Sequence, residues 1–400
     1  MQCGDAIVLR RFCVGAGCVL LRCEIEHFRR NLLTVDYKLL TPGPLTTTDS
    51  VKREMLVDHC TWDDDYKSIT RDIRARLLEV ADVCDQKYTS VLMQGSGTFG
   101  VEALLSTVLA DSNKLLVATN GAYGLRLTEI AKRHGIDVVS YDEDFANPLS
   151  AAVIDHMLTA DPSITTLAVV HCETTTGLMN DIKALGEVAK KHGVLFIVDA
   201  MSSFGGVKID MEETGIDYLV SSANKCIQGV PGFSFAIARR DLLEQCAGRA
   251  RTLSLDLYDQ WKGMEADGKW RYTSPTHVVL AFAQALRELE EEGGVAAREA
   301  RYSGSQELLV RRMKEIGFKP YIDEDYHSPV ITTFLYPYSN GQSKKFCFQD
   351  MYDFLKSGGF VIYPGKLTEV DTFRVGNIGE IYEDDINELC DLFADYLLTR

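Results

Sequence analysis

Short apolar segments alternate with amphipathic segments through the middle of the chain. The continuously apolar segments span residues 91–93, 115–118, 138–139, 167–170 and 194–198. Between them, apolar residues recur at the spacing of one helix face, as at Val101, Leu104, Leu105 and Val108. Buried strands separated by helices are typical of a parallel sheet that is covered on both sides. The pattern therefore predicts a large, doubly wound α/β domain with a mostly parallel sheet.

A proline-rich loop and two helices precede this region. Pro42-Gly43-Pro44 predicts a rigid loop, because proline fixes φ and excludes helix. Helical periodicity then runs over 51–57 and again over 66–83.

The pattern changes again near Thr273. A long helix is predicted over 278–292, and helices lie early and late in the remaining chain, with strands between them at 330–335, 360–363 and 372–375. This mixture predicts a small α+β domain. We therefore expect an extension at 1–34, a large α/β domain with an N-terminal active-site loop at 35–276, and a small C-terminal domain at 277–400.

Composition and charge narrow the functional classes. Hydrophobic residues make up 46% and charged residues 25% of the chain, which is typical of a globular protein. The 42 basic and 58 acidic residues give a net charge of −16, so we expect neither a nucleic acid nor a membrane as partner. No apolar run approaches the roughly 18 residues of a membrane helix. An anionic substrate would need Arg, Lys or helix N-termini placed locally.

Eleven cysteines occur without a C-x-x-C pair, which predicts reduced thiols and a cytoplasmic protein. Four of them lie within residues 1–34, beside several arginines. The interpretations of this segment are a metal site, a targeting presequence or a dispensable extension. We expect no metal, because no ligand pair there has the spacing of a zinc site.

A glycine-rich segment follows the first apolar strand. Gly95-Ser96-Gly97-Thr98-Phe99-Gly100 leads directly into a helix and fits the dinucleotide motif G-x-G-x-x-G. That motif needs an acidic residue at the end of the second strand, where this chain has Thr119-Asn120-Gly121. The segment therefore favours a single phosphate group held at a helix N-terminus. A tight turn without a ligand would explain the glycines but not Ser96 and Thr98.

Two ionisable residues follow later strands. Asp199 ends the apolar segment at 194–198, where a helix cap or a core hydrogen bond is the alternative to a functional role. Lys225 comes shortly after Tyr218-Leu219-Val220, and a buried lysine has a lowered pKa that suits Schiff-base chemistry. A lysine, a carboxylate and a phosphate loop at strand ends of one sheet together indicate pyridoxal phosphate.

The chain is similar to the class V aminotransferases of pyridoxal-phosphate fold type I, from about residue 36 to the end. The resemblance rests on six segments: 40–45, 60–66, 95–98, 221–228, 272–277 and 373–379. It is strongest to members that transfer the amino group of 2-aminoethylphosphonate to pyruvate, yielding phosphonoacetaldehyde and L-alanine. The resemblance thus implies pyridoxal 5′-phosphate as cofactor, these two small molecules as substrates, and a homodimer.

The resemblance also implies roles for individual residues. Lys225 would form the Schiff base with the cofactor and Asp199 would hold the pyridinium nitrogen. Arg374 would bind the carboxylate of pyruvate or alanine, and Gly43 would contact substrate. The remaining cofactor contacts would come from Ser96, Gly97, Thr98, Tyr123, Thr174, Asn224 and, across the dimer, Thr273.

Several of these residues have simpler structural interpretations. Tyr123 could be a core aromatic, and Arg374 could be a surface arginine paired with Glu369 or Asp371. Glu173 could merely satisfy backbone donors, and we assign it no role. The run Asp63-Asp64-Asp65 could be a solvated turn, and Cys226 is expected to be a small buried hydrophobe.

Other functions share the same motifs. The closest alternative is an alanine–glyoxylate or serine–pyruvate type of aminotransferase. A cysteine desulfurase usually stacks a histidine on the cofactor and carries a reactive cysteine in a mobile loop. Here Tyr123 takes the stacking position, and Cys347 is expected to lie within a helix. A cofactor-binding regulator without turnover would usually carry a fused DNA-binding segment, and a dehydrogenase would need the missing acidic residue.

Overall fold

The chain alternates strands and helices in the order that its hydrophobic pattern predicts. The computed structural model describes residues 37–337, 346–367 and 370–399, so the predicted extension at 1–34 lies outside the described residues. The described strands are β1 (Lys38–Leu39), β2 (Tyr88–Gln94), β3 (Lys114–Thr119), β4 (Asp137–Asp142), β5 (Thr166–Val170), β6 (Cys172–Glu173), β7 (Leu178–Met179), β8 (Leu195–Asp199), β9 (Tyr218–Ser222), β10 (Phe233–Arg239), β11 (Ile331–Leu335), β12 (Phe360–Val361), β13 (Tyr363–Pro364) and β14 (Thr372–Gly376).

Helices cover the strands and connect them. They are α1 (Asp49–Arg53), α2 (Asp64–Val80), α3 (Gly97–Val108), α4 (Ala122–Arg133), α5 (Ala151–Ala160), α6 (Ile182–His192), α7 (Met211–Thr214), α8 (Arg240–Glu244), α9 (Leu257–Asp267), α10 (Thr276–Glu292), α11 (Gly294–Glu315), α12 (Phe348–Ser357) and α13 (Glu383–Leu398). Short 3₁₀ helices lie at Glu54–Leu56 and Glu324–Tyr326. In the described part of the chain, no helix combines the length and the apolar character that crossing a membrane would require.

Seven strands form the main sheet in the order β2-β10-β9-β8-β5-β3-β4. The apolar segments of the sequence are all present as strands of this sheet, with ends that differ by a few residues. Strands β9, β8, β5, β3 and β4 pair in parallel, whereas β10 runs antiparallel to both of its neighbours. Strand β2 therefore has the direction of the parallel strands, and six strands end at the same edge.

The sequence analysis does not predict strand β10. Its residues alternate between large apolar side chains and small ones, and nearly all of them are buried. The strand also follows a segment rich in glycine and proline, which breaks the alternation of strand and helix seen before it. Because β10 lies between β2 and β9, its insertion separates the glycine-rich loop from the lysine-bearing strand by one strand width.

The described residues form three hydrophobic clusters, of which two are large. The first surrounds the seven-stranded sheet and includes the apolar face of α10, with Phe282 and Leu286 among its members. The second lies between the sheet β11-β14-β13 and helices α11, α12 and α13, where Phe334, Phe373 and Phe393 pack together. Leu40 belongs to this second core. A domain boundary at residues 276 and 277 stays a prediction, and the core places α10, which follows that boundary, with the large sheet.

The structure differs from two predictions for the C-terminal part. The strand predicted at 360–363 is two strands, because β12 pairs in parallel with β1 whereas β13 pairs with β14. Cys347 was expected inside a helix, but it is the extended residue before α12, with φ −119° and ψ 113°. The hydrophobic pattern places the apolar residues correctly in both cases, but it cannot show where the hydrogen-bonding partner changes or where a helix begins.

Candidate active site

The carboxyl ends of the parallel strands enclose a cavity of about 180 Å³. Because these strands run in the same direction, the loops that leave them meet at one edge of the sheet. Most of the predicted site residues line this cavity, namely Ser96, Gly97, Thr98, Tyr123, Asp199, Asn224 and Lys225. The structure thus brings together residues from four separate loops, as the sequence analysis predicts.

The glycine-rich loop connects β2 to α3 at one side of the cavity. Ser96 precedes the helix in an extended conformation, and its carbonyl oxygen accepts hydrogen bonds from Phe99 and Gly100. Gly95 has a φ of +116°, which favours glycine, and this turn directs the start of α3 toward the cavity. The amides of Gly97 and Thr98 lie in the first turn, where a helix leaves its N–H groups without internal partners. This end of the cavity is suited to an anion such as a phosphate.

Lys225 lies beyond the end of β9 and contacts the proline-rich loop. Its Nζ donates a hydrogen bond to the carbonyl oxygen of Pro42. A Cβ atom added to Gly43, whose φ is +117°, would lie 3.0 Å from the same Nζ, so only glycine leaves this approach open. Desolvation by burial lowers the pKa of the Lys225 amine. The neutral, nucleophilic form of the amine is therefore more accessible than it is for a surface lysine.

Asp199 is the last residue of β8 and is buried at the floor of the cavity. Its Oδ1 accepts a hydrogen bond of 2.9 Å from the backbone N–H of Met201. Burial raises the pKa of this carboxyl to about 6, against the opposing effect of the Met201 hydrogen bond. A cationic partner in the cavity would stabilise the ionised carboxylate.

Tyr123 lies on the opposite side of the cavity, at the start of α4. Its ring is half-buried and is flanked by two cations, the Arg126 guanidinium at 4.9 Å and the Lys366 ammonium at 4.0 Å from the ring centroid. Burial opposes ionisation of the Tyr123 phenol, but the positive charges of Lys225 and Lys366 outweigh it and lower its pKa. The ring is therefore part of the cavity wall, and it also packs against the edge of the first hydrophobic core.

Glu173 holds the backbone beside Tyr123. Its Oε2 accepts N–H groups of Tyr123 at 3.1 Å and Gly124 at 3.4 Å, and its Oε1 accepts both the N–H and the hydroxyl of Thr175. A side chain on Gly121 would overlap the carboxylate. The interpretation of Glu173 as an acceptor for backbone donors is confirmed, and this acceptor fixes the position of Tyr123.

Arg374 reaches the site from β14. Only 6% of its surface is exposed, so the interpretation as a surface arginine is wrong. Its Nη1 donates to the carbonyl oxygen of Thr174 and its Nε to that of Pro364, both at 3.0 Å. Glu369, one of the surface partners considered for it, lies outside the described residues.

A buried hydroxyl lies next to this arginine. Oγ1 of Thr174 is shielded from solvent, and in the described ranges its interaction is with the nearby Tyr123 hydroxyl, without the alignment of a regular hydrogen bond. Thr174 does not line the cavity itself, but its side chain lies beside Tyr123 and its carbonyl oxygen accepts the Arg374 hydrogen bond.

Sequence reasoning missed two cationic residues of the site. Arg126 lines the cavity, and its Nη1 donates a 3.2 Å hydrogen bond to the hydroxyl of Thr98. Since Arg126 lies three residues after Tyr123, helical spacing puts both on one face, and that signal was available in the sequence. Lys366 had no such signal, because its proximity to Tyr123 depends on packing between residues far apart in the chain.

Other residues singled out in the sequence lie outside the cavity lining. Thr273 is exposed and does not line the cavity within its own chain. Asp63 precedes α2, and Asp64 and Asp65 occupy its exposed first turn, where acidic side chains favour the helix. Cys226 is fully buried, and burial raises the pKa of its thiol to about 12, which confirms it as an inert buried side chain. Among the described residues, no three His, Cys, Asp or Glu side chains are grouped to hold a metal ion.

Comparison with known proteins shows the family to which the chain belongs. Residues 63–365 match the family model of class-V aminotransferases, and the chain belongs to this family. A 2-aminoethylphosphonate–pyruvate transaminase of Lysinibacillus sphaericus is 55% identical over 365 residues, which cover 91% of this chain and 98% of that protein. The enzyme of the same name from Bacillus mycoides is 57% identical over 359 residues, covering 90% of this chain and 97% of its own length.

Solved structures confirm the predicted fold type. The ureidoglycine–glyoxylate aminotransferase of Bacillus subtilis superimposes with a TM-score of 0.82 at 22% identity and covers 91% of this chain and 93% of its own. The alanine–glyoxylate aminotransferase of a Nostoc species gives a TM-score of 0.81 at 25% identity, covering 90% and 95% of the two chains. Both are aminotransferases, and both align with nearly the whole of the described fold.

Proposed function

We propose that this protein transfers the amino group of 2-aminoethylphosphonate to pyruvate with pyridoxal 5′-phosphate as cofactor, yielding phosphonoacetaldehyde and L-alanine. The observation that carries the proposal is the sequence identity of 55–57% to proteins named 2-aminoethylphosphonate–pyruvate transaminase, over about 90% of the chain. A match of 365 residues in a chain of 400 includes the whole seven-stranded sheet. This similarity favours the proposed reaction over an alanine–glyoxylate, serine–pyruvate or desulfurase function.

The residues of the cavity fit the cofactor. The first turn of α3, with Ser96, Gly97 and Thr98, would hold its phosphate, with Asn224 beside it. Asp199 would face the ring nitrogen, which would supply the cationic partner that this buried carboxylate lacks in the free protein. In this proposal the hydroxyl of Thr174, which lies beside Tyr123, would bond the ring hydroxyl of the cofactor. The ring of Tyr123 would cover one face of the pyridine.

When bound, pyridoxal phosphate supplies an aldehyde that takes up the amino group and a ring that withdraws electrons from the reacting carbon. Lys225 would hold the cofactor through its Nζ, and its lowered pKa favours the neutral amine that this attachment needs. Once the substrate amine replaces it, the same Nζ is placed to accept a proton from the substrate carbon and to donate it again. Asp199 would keep a proton on the ring nitrogen, and the N–H of Met201 holds its carboxylate in position.

The two substrates are both anions, and the site provides cations for them. Arg374 would bind the carboxylate of pyruvate or alanine with its planar fork of donors. Gly43, which lies against Lys225, would leave space for the substrate between the proline-rich loop and the cofactor. The charge of the site is thus opposite to the net charge of the chain.

A homodimer belongs to the same proposal. Thr273 is exposed on its own chain, and the partner subunit's Thr273 would complete the phosphate site. The surface beside the phosphate loop supports this arrangement, because the exposed aromatics Phe99 and Tyr272 line a cavity of about 400 Å³ next to Gly95. A cytoplasmic location is also part of the proposal and is supported by the seven cysteines of the described part, which are free thiols.

An amino-donor panel tests the proposed reaction. The purified, cofactor-loaded protein is incubated with pyruvate and one donor at a time, and alanine is measured. We expect 2-aminoethylphosphonate to give alanine far faster than serine, glutamate or cysteine. A parallel series with alanine as donor and glyoxylate as acceptor measures the alternative activity. Absence of alanine from 2-aminoethylphosphonate, or faster turnover with glyoxylate, would contradict the proposal.

A further inference from the structure

Four cationic side chains line the cavity or lie beside it, and none of them has a carboxylate partner in the part of the chain that the structure describes. They are Arg126, Lys225, Lys366 and Arg374, and their polar contacts are to Thr98, to backbone carbonyls or to the Tyr123 ring. Within the described ranges none of the four forms an ion pair, although other buried arginines do, such as Arg298 with Glu292. Cations left unpaired in a chain with a net charge of −16 indicate that anions bind here.

Three of these cations have other partners in the proposed reaction. Lys225 would be attached to the cofactor, Arg126 bonds Thr98 on the phosphate side, and Arg374 would bind the substrate carboxylate. Lys366 is left without an assignment. We propose that Lys366 is the residue that recognises the phosphonate group of the amino donor and so distinguishes it from the carboxylate of the acceptor. This inference rests on the proposed function.

The position of Lys366 is set by the same strand pair that positions Arg374. Strand β13 pairs with β14, and the chain continues from Pro364 through Gly365 to Lys366. The N–H of Gly365 donates a hydrogen bond of 2.9 Å to the carbonyl oxygen of Thr372. A Cβ atom on Gly365 would overlap the same residue. Arg374 in turn donates to Pro364. The ammonium of Lys366 and the guanidinium of Arg374 are therefore held on one hairpin that faces Tyr123.

The chemistry of the two anions explains why a second cation is needed. A carboxylate has two oxygens and one negative charge, which a single arginine fork satisfies. A phosphonate has three oxygens and carries up to two negative charges, so one arginine leaves an oxygen and a charge without a partner. A lysine ammonium is a compact charge with three donors and fits that remaining oxygen. Because donor and acceptor occupy the same site in turn, Arg374 would meet both anions and Lys366 would matter mainly for the phosphonate.

The test uses ligands that carry the two anionic groups and cannot react. Ethylphosphonate and propionate lack an amino group, so calorimetric titration of the cofactor-loaded protein measures binding without turnover. In Lys366→Met we expect ethylphosphonate to bind about tenfold or more weakly, the loss of one charge-assisted contact, and propionate to change less than about twofold. Lys366→Arg retains the charge and should restore most of the ethylphosphonate affinity. In Lys366→Met the KM for 2-aminoethylphosphonate should rise, and the KM for pyruvate should change little.

Lys356→Met is the matched control, because Lys356 also lies near an aromatic ring, that of Tyr352, but on the exposed side of α12. Lys356→Met should leave the binding of ethylphosphonate and of propionate unchanged. If Lys366→Met behaves like this control, or weakens both ligands equally, the assignment of Lys366 is wrong. A wild-type protein that makes no alanine from 2-aminoethylphosphonate would contradict the proposed function instead, so the two failures are distinguishable.

Discussion

At the scale of single residues, burial decides what each ionisable group can do. The Lys225 amine has a lowered pKa and the Asp199 carboxyl has one raised to about 6, and desolvation is the main cause of both shifts. Each group is thereby disposed toward its uncharged form in the free protein. A cofactor with an aldehyde and a protonatable ring nitrogen would satisfy both groups at once.

Arg374 allows a prediction that separates the two half-reactions. Its Nε and Nη1 are already bonded to Pro364 and Thr174, which leaves a fixed edge of the guanidinium for a carboxylate. Lysine has one terminal nitrogen and cannot make both anchoring bonds and bind substrate. We therefore expect Arg374→Lys to raise the KM for pyruvate about tenfold or more. The amino-donor half, followed by absorbance in a single turnover, should slow less.

If both halves slow equally in Arg374→Lys, Arg374 contributes as much to binding the phosphonate as to binding the carboxylate, and the prediction that it matters mainly for the carboxylate is wrong. An unchanged KM for pyruvate would remove Arg374 from the substrate site. Lys366→Met provides the complementary comparison, since it should affect the donor half and leave pyruvate nearly unchanged.

At the scale of elements, close helix packing can matter more than helix propensity. Gly186 lies inside α6, and a Cβ atom there would overlap the carbonyl oxygen of Thr214 at the end of α7. We expect Gly186→Ala to destabilise the protein by about 2 kcal/mol or more, although alanine is the better helix former. Urea unfolding followed by circular dichroism measures the change.

Gly304 is the control for this prediction, because it lies inside α11 and a Cβ atom there has no neighbour within 4 Å. Gly304→Ala should therefore stabilise the protein by about 0.5 to 1 kcal/mol, the propensity difference alone. If the two substitutions change the free energy of unfolding equally, the contact between α6 and α7 does not exclude a side chain at position 186.

At the scale of the whole molecule, the proposed dimer predicts that two inactive variants complement each other. In Lys225→Ala the cofactor lysine is missing, and in Thr273→Ala the residue offered to the partner is missing. A mixed dimer has one site with both defects and one with neither, so random reassembly should restore up to about a quarter of the sites of a two-fold dimer. Alanine production after co-refolding of equal amounts measures the recovery.

The control for this experiment is each variant refolded alone, which should stay inactive or strongly impaired. Recovery no greater than the sum of the two separate preparations would contradict a shared site. Monomeric protein at micromolar concentration in a sizing experiment would contradict the dimer itself.

Much of the large sheet and its site is determined by the sequence. Parallel strands buried on both faces must be continuously apolar, so their positions stand out, and polar residues directly after them must meet at one edge. This reasoning placed Ser96, Asp199 and Lys225 around one cavity, whereas Tyr123, which lines the same cavity, was predicted from the family resemblance. Composition contributed the expectation that any anion site must be built from local cations.

The tertiary structure decided the rest, because the remaining contacts join residues that no local pattern relates. Strand β10 lies between β2 and β9, and the alternation of strands and helices predicts neither this strand nor its neighbours. Arg374 bonds Thr174 across 200 positions, and Lys366 reaches Tyr123 across more than 240. Periodicity shows which face of an element is buried but not which element covers it. The charge that surrounds the cavity is therefore a product of packing between distant segments.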